Sequence, residues 1–251
     1  YTTLFRSVNG DGYGDVIVGV PKLDDGQTDE GEAFVYHGSA DGLSTSPDWT
    51  VESNQAYAYL GFSALTAGDV DGDGYSDVIV GAPFYTNGEN DEGKVFVFHG
   101  SSEGLSASEG WTADADRADS AMGYSVGSAG DVDGDGFGDI IVGARMFDNG
   151  QTDEGKAFVY HGSATGPSAS ADWTEEGDQG NAHYGHSVGT AGDVDGDGYD
   201  DIIVGARDYD LDQTDSGKAY VYLGSSGGLS STPTWSRGVD LEDACFGCSV
   251  G

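Results

Sequence analysis

Apolar residues in this chain come in short runs of three to six, each closed by Gly, Asp, Asn or Ser. Ile140-Ile141-Val142 is continuously apolar, as in a strand buried on both faces, and Ala157-Phe158-Val159-Tyr160 reads as its neighbour packed between layers. No stretch carries a helical period, so the pattern predicts an all-β chain with strands spaced about 8–12 residues apart. Four strands are expected per unit: around Phe62–Thr66, Val78–Ala82, Lys94–His99 and a short one near Trp111.

The pattern repeats every 62 residues. Trp49, Trp111, Trp173 and Trp235 fall at that spacing, as do Gly19, Gly81, Gly143 and Gly205. Four-stranded units that cannot bury their own faces stack radially, so the expected fold is a β-propeller with about four blades present, a β-solenoid being the alternative. The expected division is a truncated first repeat at 8–59, repeats at 60–121, 122–183 and 184–245, and 246–251 as the first strand of another. Tyr1–Ser7 matches no other repeat and resembles a translated sequencing adapter, so residues 1–7 are read as a non-native leader.

Charge narrows the function. With 45 Asp and Glu against 9 Lys and Arg, the net charge is -36, which repels nucleic acid and anionic membrane surfaces. No apolar stretch approaches the ~18–20 residues of a bilayer span, so membrane insertion is not expected. The 44 glycines supply turns rather than a Gly-X-Y triplet repeat.

The acids are not scattered. Asp69, Asp71, Asp73 and Asp77 occupy positions 1, 3, 5 and 9 of a loop that recurs as Asp131, Asp133, Asp135, Asp139 and as Asp193, Asp195, Asp197, Asp201. Four carboxylates within nine residues repel one another unless a hard divalent cation holds them, and an all-oxygen donor set favours calcium. The position-7 backbone carbonyl (Tyr75, Phe137, Tyr199) is a further candidate ligand by analogy with the EF-hand loop. An EF-hand itself is excluded, because the last acid stands at position 9 rather than 12 and the loop runs into a strand. The first loop keeps Asn9, Asp11, Tyr13 and Asp15 but has Ser7 at position 1, so weaker binding is expected there. Calcium does not explain all the acidity. Fourteen acids stand in these loops, and four Ca²⁺ would move the charge only from -36 to -28.

These units resemble the FG-GAP repeats of the integrin α-subunit propeller. Phe246-Gly247 matches the family's Phe-Gly, with Leu60-Gly61, Met122-Gly123 and Tyr184-Gly185 as variants. Gly81-Ala82-Pro83 matches its Gly-Ala-Pro, from which Gly19-Val20-Pro21, Gly143-Ala144-Arg145 and Gly205-Ala206-Arg207 depart. The resemblance implies part of a seven-bladed propeller, structural calcium in the Asp-rich loops, an extracellular or cell-surface location of prokaryotic type, and protein or glycan ligands on propeller-face loops. Adhesion or recognition is therefore the expected role, with no enzymatic activity. The alternatives are the propeller of a secreted polysaccharide-active enzyme, or a spacer beside a catalytic domain.

Among the repeats the connections Val51–Tyr59, Ala113–Ala121, Glu175–His183 and Arg237–Cys245 diverge most, and these are the expected ligand-face segments. His37, His99 and His161 end equivalent strands and are assigned packing or turn roles, and the four Trp, one per unit, are assigned to blade packing rather than to sugar platforms. Cys245 and Cys248 lie three apart on an expected strand, where side chains point to opposite faces, so no bridge is expected and Cys248 is read as a small buried residue. Open propeller ends would expose apolar faces and favour self-association.

Overall fold

The computed structural model describes residues 7–251. The leader assigned to residues 1–7 therefore falls outside the described residues except for Ser7. Among the described residues there is no helix, and all regular structure lies in fifteen strands.

The first sheet has three strands, β1 (Val16–Val20), β2 (Glu32–Tyr36) and β3 (Trp49–Glu52). The second has β4 (Ser63–Gly68), β5 (Asp77–Ala82), β6 (Lys94–Phe98) and β7 (Trp111–Asp114). The third has β8 (Met122–Gly130), β9 (Asp139–Ala144), β10 (Lys156–Tyr160) and β11 (Trp173–Glu176), and the fourth β12 (Tyr184–Gly192), β13 (Asp201–Ala206), β14 (Lys218–Tyr222) and β15 (Trp235–Gly238). Each sheet is an antiparallel meander of sequential neighbours, the blade of a β-propeller. The Asp-rich loops and the connections after the third strands therefore lie at one end of the sheets. The acidic turns and the links between sheets lie at the other.

Both faces of an inner sheet are covered, and strand alternation divides the side chains between the two neighbours. Val78, Val80, Phe96 and Phe98 pack with Ala33, Val35 and Trp49 of the first sheet. Ile79, Val95 and Val97 pack with Ile140, Val142 and Tyr160 of the third. Each Trp crosses to the following sheet: the indole N–H of Trp49, Trp111 and Trp173 donates to the carbonyls of Ser106, Ser168 and Ser230 at 2.9, 3.0 and 2.9 Å. The rings meet Phe98, Tyr160 and Tyr222 edge to face at 4.8 Å. The blade packing expected of the Trp residues is thus a contact with the following sheet for Trp49, Trp111 and Trp173. Trp235 has no following sheet among the described residues and is 39% exposed, as are Val16 and Val18 (39% and 42%) at the opposite end.

Two expectations are corrected at the C-terminal end. Phe246–Val250 forms no strand. It makes an isolated bridge from Phe246 to Gly217 and then a turn. Cys245 and Cys248 are joined by a disulfide, with their Cα atoms 5.5 Å apart, and Cys248 is half-buried rather than buried. The reason is local: Cys245 has φ +56°, and the Cys248 N–H donates to its carbonyl at 3.2 Å, so the segment is a tight turn without strand alternation. The same turn recurs at Tyr59, Ala121 and His183, each with positive φ.

The closest approach between sheets is made at glycine. A Cβ on Gly81, Gly143 or Gly205 would overlap the carbonyl of Gly123, Gly185 or Gly247 in the next segment. Gly143→Ala is therefore expected to destabilise the protein by about 2 kcal/mol or more. A shift in urea midpoint with unchanged slope would register it, and wild-type stability would contradict this packing.

Candidate metal centre

Each of the Asp-rich loops two to four follows the first strand of a sheet and turns back into the second, and the first loop leads into β1. Gly74, Gly136 and Gly198 stand at position 6 with φ +100°, +92° and +97°, a left-handed conformation that lets positions 1, 3 and 5 face one point. The carboxylate oxygens converge accordingly. Ligand atoms lie within 4.8 Å of one another for Asp69, Asp71 and Asp73, for Asp131, Asp133 and Asp139, and for Asp193, Asp195 and Asp197.

Backbone N–H groups hold these carboxylates in place. Asp131 accepts from Gly134 and Asp135 on Oδ1 (2.7 and 3.0 Å) and from Gly136 on Oδ2 (3.0 Å), and Asp193 makes the same set with Gly196, Asp197 and Gly198. Asp73, Asp135 and Asp197 accept from the position-7 N–H of Tyr75, Phe137 and Tyr199 at 2.9, 3.0 and 3.1 Å, so the turn includes the residue whose carbonyl was a candidate ligand.

The position-9 acids are wholly buried. Asp77, Asp139 and Asp201 each accept from the position-2 N–H (Val70, Val132, Val194) and from a glycine N–H after the third strand (Gly100, Gly162, Gly224), all at 2.8 Å. This clamp ties loop, second strand and third connection together. Burial pushes the Asp139 carboxyl up to about 7, against the two N–H bonds that favour its anion. Asp195 is also raised, by partial desolvation and then by the charge of Asp197.

The first loop is closed differently. Ser7 Oγ donates to Asn9 Oδ1 (3.0 Å), and the Asn9 amide donates to Asp11 Oδ2 (3.2 Å), so neutral donors stand where the other loops set carboxylates face to face. Tyr13 donates its N–H to Asp11, and Asp15 keeps the clamp to Val8 and Gly38 at 2.9 Å each.

Consecutive loops are stitched across the sheets. The position-1 carbonyls of Ser7, Asp69 and Asp131 accept from Ser76, Gly138 and Asp200 of the next loop at 3.2, 2.8 and 3.0 Å, and the carbonyls of Val8, Val70 and Val132 from Ser101, Ser163 and Ser225 at 3.0 Å. Folding of each loop is thereby part of the contact between blades.

Sequence reading missed two groups. His99 Nδ1 lies 3.2 Å from Asp71 and 3.6 Å from Asp77, and His161 Nδ1 lies 3.1 Å from Asp133. The His99 imidazole is raised by its bond to Asp77 and, less, by the charges of Asp77, Asp71 and Asp73. Strand register was the available signal: with Val78 opposite Phe98, residue 77 faces residue 99. Glu30, Glu92 and Glu154 in the acidic turns are 0–1% exposed and accept turn N–H groups such as Asp25 at 2.7 Å and Asn87 at 2.6 Å. They organise the opposite end of each sheet.

A family model described as FG-GAP repeat matches residues 61–98, 122–160 and 184–222. The chain is an FG-GAP repeat protein. Its relatives include integrin alpha-PS2 of Drosophila melanogaster, 31% identical over 228 residues (85% of this chain, 15% of that protein), and integrin alpha pat-2 of Caenorhabditis briggsae, 32% over 223 residues (82% and 18%). Integrin alpha-V of Gallus gallus is 32% identical over 214 residues (82% and 20%). The chain thus spans a fifth or less of the length of these relatives. Among solved structures, rhamnogalacturonan lyase YesW superposes with TM-score 0.48 at 21% identity, over 79% of this chain and 39% of that one. A likeness of that size has no bearing on activity. In the FG-GAP repeat as folded here, the glycine of Phe-Gly and that of Gly-Ala-Pro are the two that meet between sheets.

The buried Asp139 gives the metal-free protein a defined pH dependence. Its folded-state value of about 7 exceeds the ordinary 3.8, so the folded state holds the proton more tightly. That contribution is full below about pH 4 and is lost as pH rises through about 7. In chelator the melting temperature is expected to fall from pH 5 to pH 8, and Asp139→Asn to flatten the fall. A metal-free protein that grows more stable over this range would contradict the assignment.

Proposed function

We propose that the chain is a calcium-binding recognition module of an extracellular or cell-surface protein, taking a protein or glycan ligand at the end of the sheets opposite the Asp-rich loops. The observation that carries the calcium reading is the convergence of three carboxylates in each of loops two to four. The donor set is oxygen only, and part of it is desolvated. Asp69, Asp71, Asp73 and Asp77 would hold one ion, as would Asp131, Asp133, Asp135, Asp139 and Asp193, Asp195, Asp197, Asp201, with the carbonyls of Tyr75, Phe137 and Tyr199 completing each set. Bound calcium would neutralise the crowded anions and so rigidify loops already bonded across the sheets. Asn9, Asp11, Tyr13 and Asp15 form the weaker site, because an amide and a hydroxyl already satisfy part of the loop.

The recognition reading is supported by the integrin α likeness and by the contrast between the two ends. Backbone bonds cross between sheets at both ends in every repeat, but the variable connections add side-chain contacts that differ from blade to blade. Gln55 and Gln179 each bind the backbone of the next sheet, at Thr86 and Asp210, whereas Arg117 at the equivalent position lies over the Phe147 ring, and a disulfide closes the turn at Cys245. A disulfide fits an oxidising compartment and hence the extracellular assignment. Among the described residues no helix is long and apolar enough to cross a membrane. The repeated carboxylates are committed to loop structure, so no catalytic role is assigned to them. Nucleic acid remains an unsuitable partner for a chain of charge -36.

Calorimetric titration of chelated protein with Ca²⁺ tests the reading. Three tight sites are expected, with a weaker fourth that tightens by about tenfold or more in the double variant Ser7→Asp, Asn9→Asp. Asp135→Asn should weaken one tight site and leave the others. Absence of heat at millimolar Ca²⁺ would remove the basis of the proposal.

A further inference from the structure

Cations are scarce in this chain, 9 against 45 acids, so each has carboxylates to choose from. Arg145 nevertheless pairs with none among the described residues. Its guanidinium lies over the Tyr124 ring at 4.2 Å, and its Nε is buried without a hydrogen-bond partner. His186 stands beside it, its ring 5.1 Å from Tyr124 and its Nδ1 also buried without a partner. Arg207, one repeat on from Arg145, is 44% exposed. These arginines occupy the two positions where Gly-Ala-Pro becomes Gly-Ala-Arg, after β9 and β13, at the end of the sheets carrying the variable connections.

Backbone geometry explains the placement. Register shifts between Met122 and Ser125 and between Tyr184 and Ser187 leave Tyr124 and His186 outside the ladder, and a bulge of this kind re-aims a side chain away from the sheet. Burial, then the charges of Arg145 and Arg207, push the His186 imidazole down to about 4, so it is neutral at pH 7. Arg145 and His186 thus share the Tyr124 ring, and the pairing of Tyr184 with Ala206 sets Arg207 at the same end of the His186 sheet, where its charge reaches His186. Leaving the Arg145 and His186 nitrogens unpaired is costly, and an anion from outside would satisfy them.

We propose that Arg145, His186 and Arg207 form a pocket for the carboxylate of a uronate-terminated oligosaccharide. This rests on the recognition reading above and names the ligand class for that end of the sheets. The surroundings select the class. Arg207 borders a cavity of about 110 Å³ whose other walls include Asp208, Asp215 and Asp243. Asp208 is already held by Arg207 at 3.4 Å and by His183 at 2.7 Å. Ionised carboxylates only accept hydrogen bonds, so they suit a ligand rich in hydroxyl donors and oppose a second negative charge. The field of a chain at -36 opposes polyanions as well. One carboxylate among many hydroxyls meets these conditions. The Phe62 ring, 39% exposed and 4.6 Å from Tyr124, offers an apolar surface for a sugar ring next to the cations.

The test uses the whole chain in Ca²⁺ and a disaccharide of glucuronate linked to a neutral sugar, titrated by calorimetry. The same disaccharide with its carboxyl reduced to an alcohol, and an end-blocked peptide with one glutamate, serve as comparisons. Saturable binding of the acid disaccharide is expected, about tenfold or more weaker after reduction, in Arg145→Gln and in Arg207→Gln, with no binding of the peptide. Melting temperature and Ca²⁺ titration should match wild type in both variants, which separates loss of the pocket from loss of the fold. No binding of the acid disaccharide overturns the pocket. Equal affinity for the reduced disaccharide, or unchanged affinity in Arg145→Gln, overturns it while leaving ligand recognition at this end intact. Equal binding of the peptide overturns the saccharide assignment.

Discussion

Carboxylate crowding at one end of every sheet is the constraint to which the rest of the fold answers. Each of loops two to four brings three carboxylates within 4.8 Å, and each position-9 acid is buried on four-stranded scaffolding. Backbone N–H groups meet part of that cost, through the clamps on Asp77, Asp139 and Asp201. They carry no net charge, so they orient the anions without neutralising them. A divalent cation would supply what is missing, as the proposed calcium sites do. Because the carbonyls of the same loops accept hydrogen bonds from the next sheet, the state of the loop bears directly on how blades hold together.

Packing of the sheets is the second half of the same design. No blade covers its own faces, so the Trp crossings and the glycine pairs hold each sheet only in the presence of its neighbours. Repetition is strict in the Trp crossings and the Asp-rich loops, which share one end, and in the glycine pairs. At the other end the buried Glu residues keep the turns in shape, while the links between sheets are free to vary. The segments that vary are thereby confined to one end of a blade, where Arg145 and Arg207 also depart from the repeat.

Much of this was readable from the sequence because it repeats. The spacing of the Trp residues, the Asp tetrads and the short apolar runs located the sheets and their order, since period-2 burial and turn chemistry are local properties. The features that escaped depend on backbone details that local patterns do not encode. Cys245 and Cys248 were placed on a strand, but a positive φ at Cys245 converts that strand into a turn and brings the thiols together. His99 needed the register of β5 against β6, and the burial of Glu92 could not be told from an ordinary acidic turn. Arg145 and His186 lie 41 residues apart and meet only because consecutive sheets stack and a bulge turns each inner strand.

Amide hydrogen exchange with and without Ca²⁺ tests the central claim most directly, because it reads loop and interface separately along the chain. The account predicts that Ca²⁺ slows exchange at Gly74, Gly136 and Gly198 and, through the bonds between loops, at Gly138, Ser163, Asp200 and Ser225, which themselves touch no ion. The first loop should respond least. Exchange that is unchanged by Ca²⁺ at both sets of amides would contradict the claim that cation loops hold the blades together.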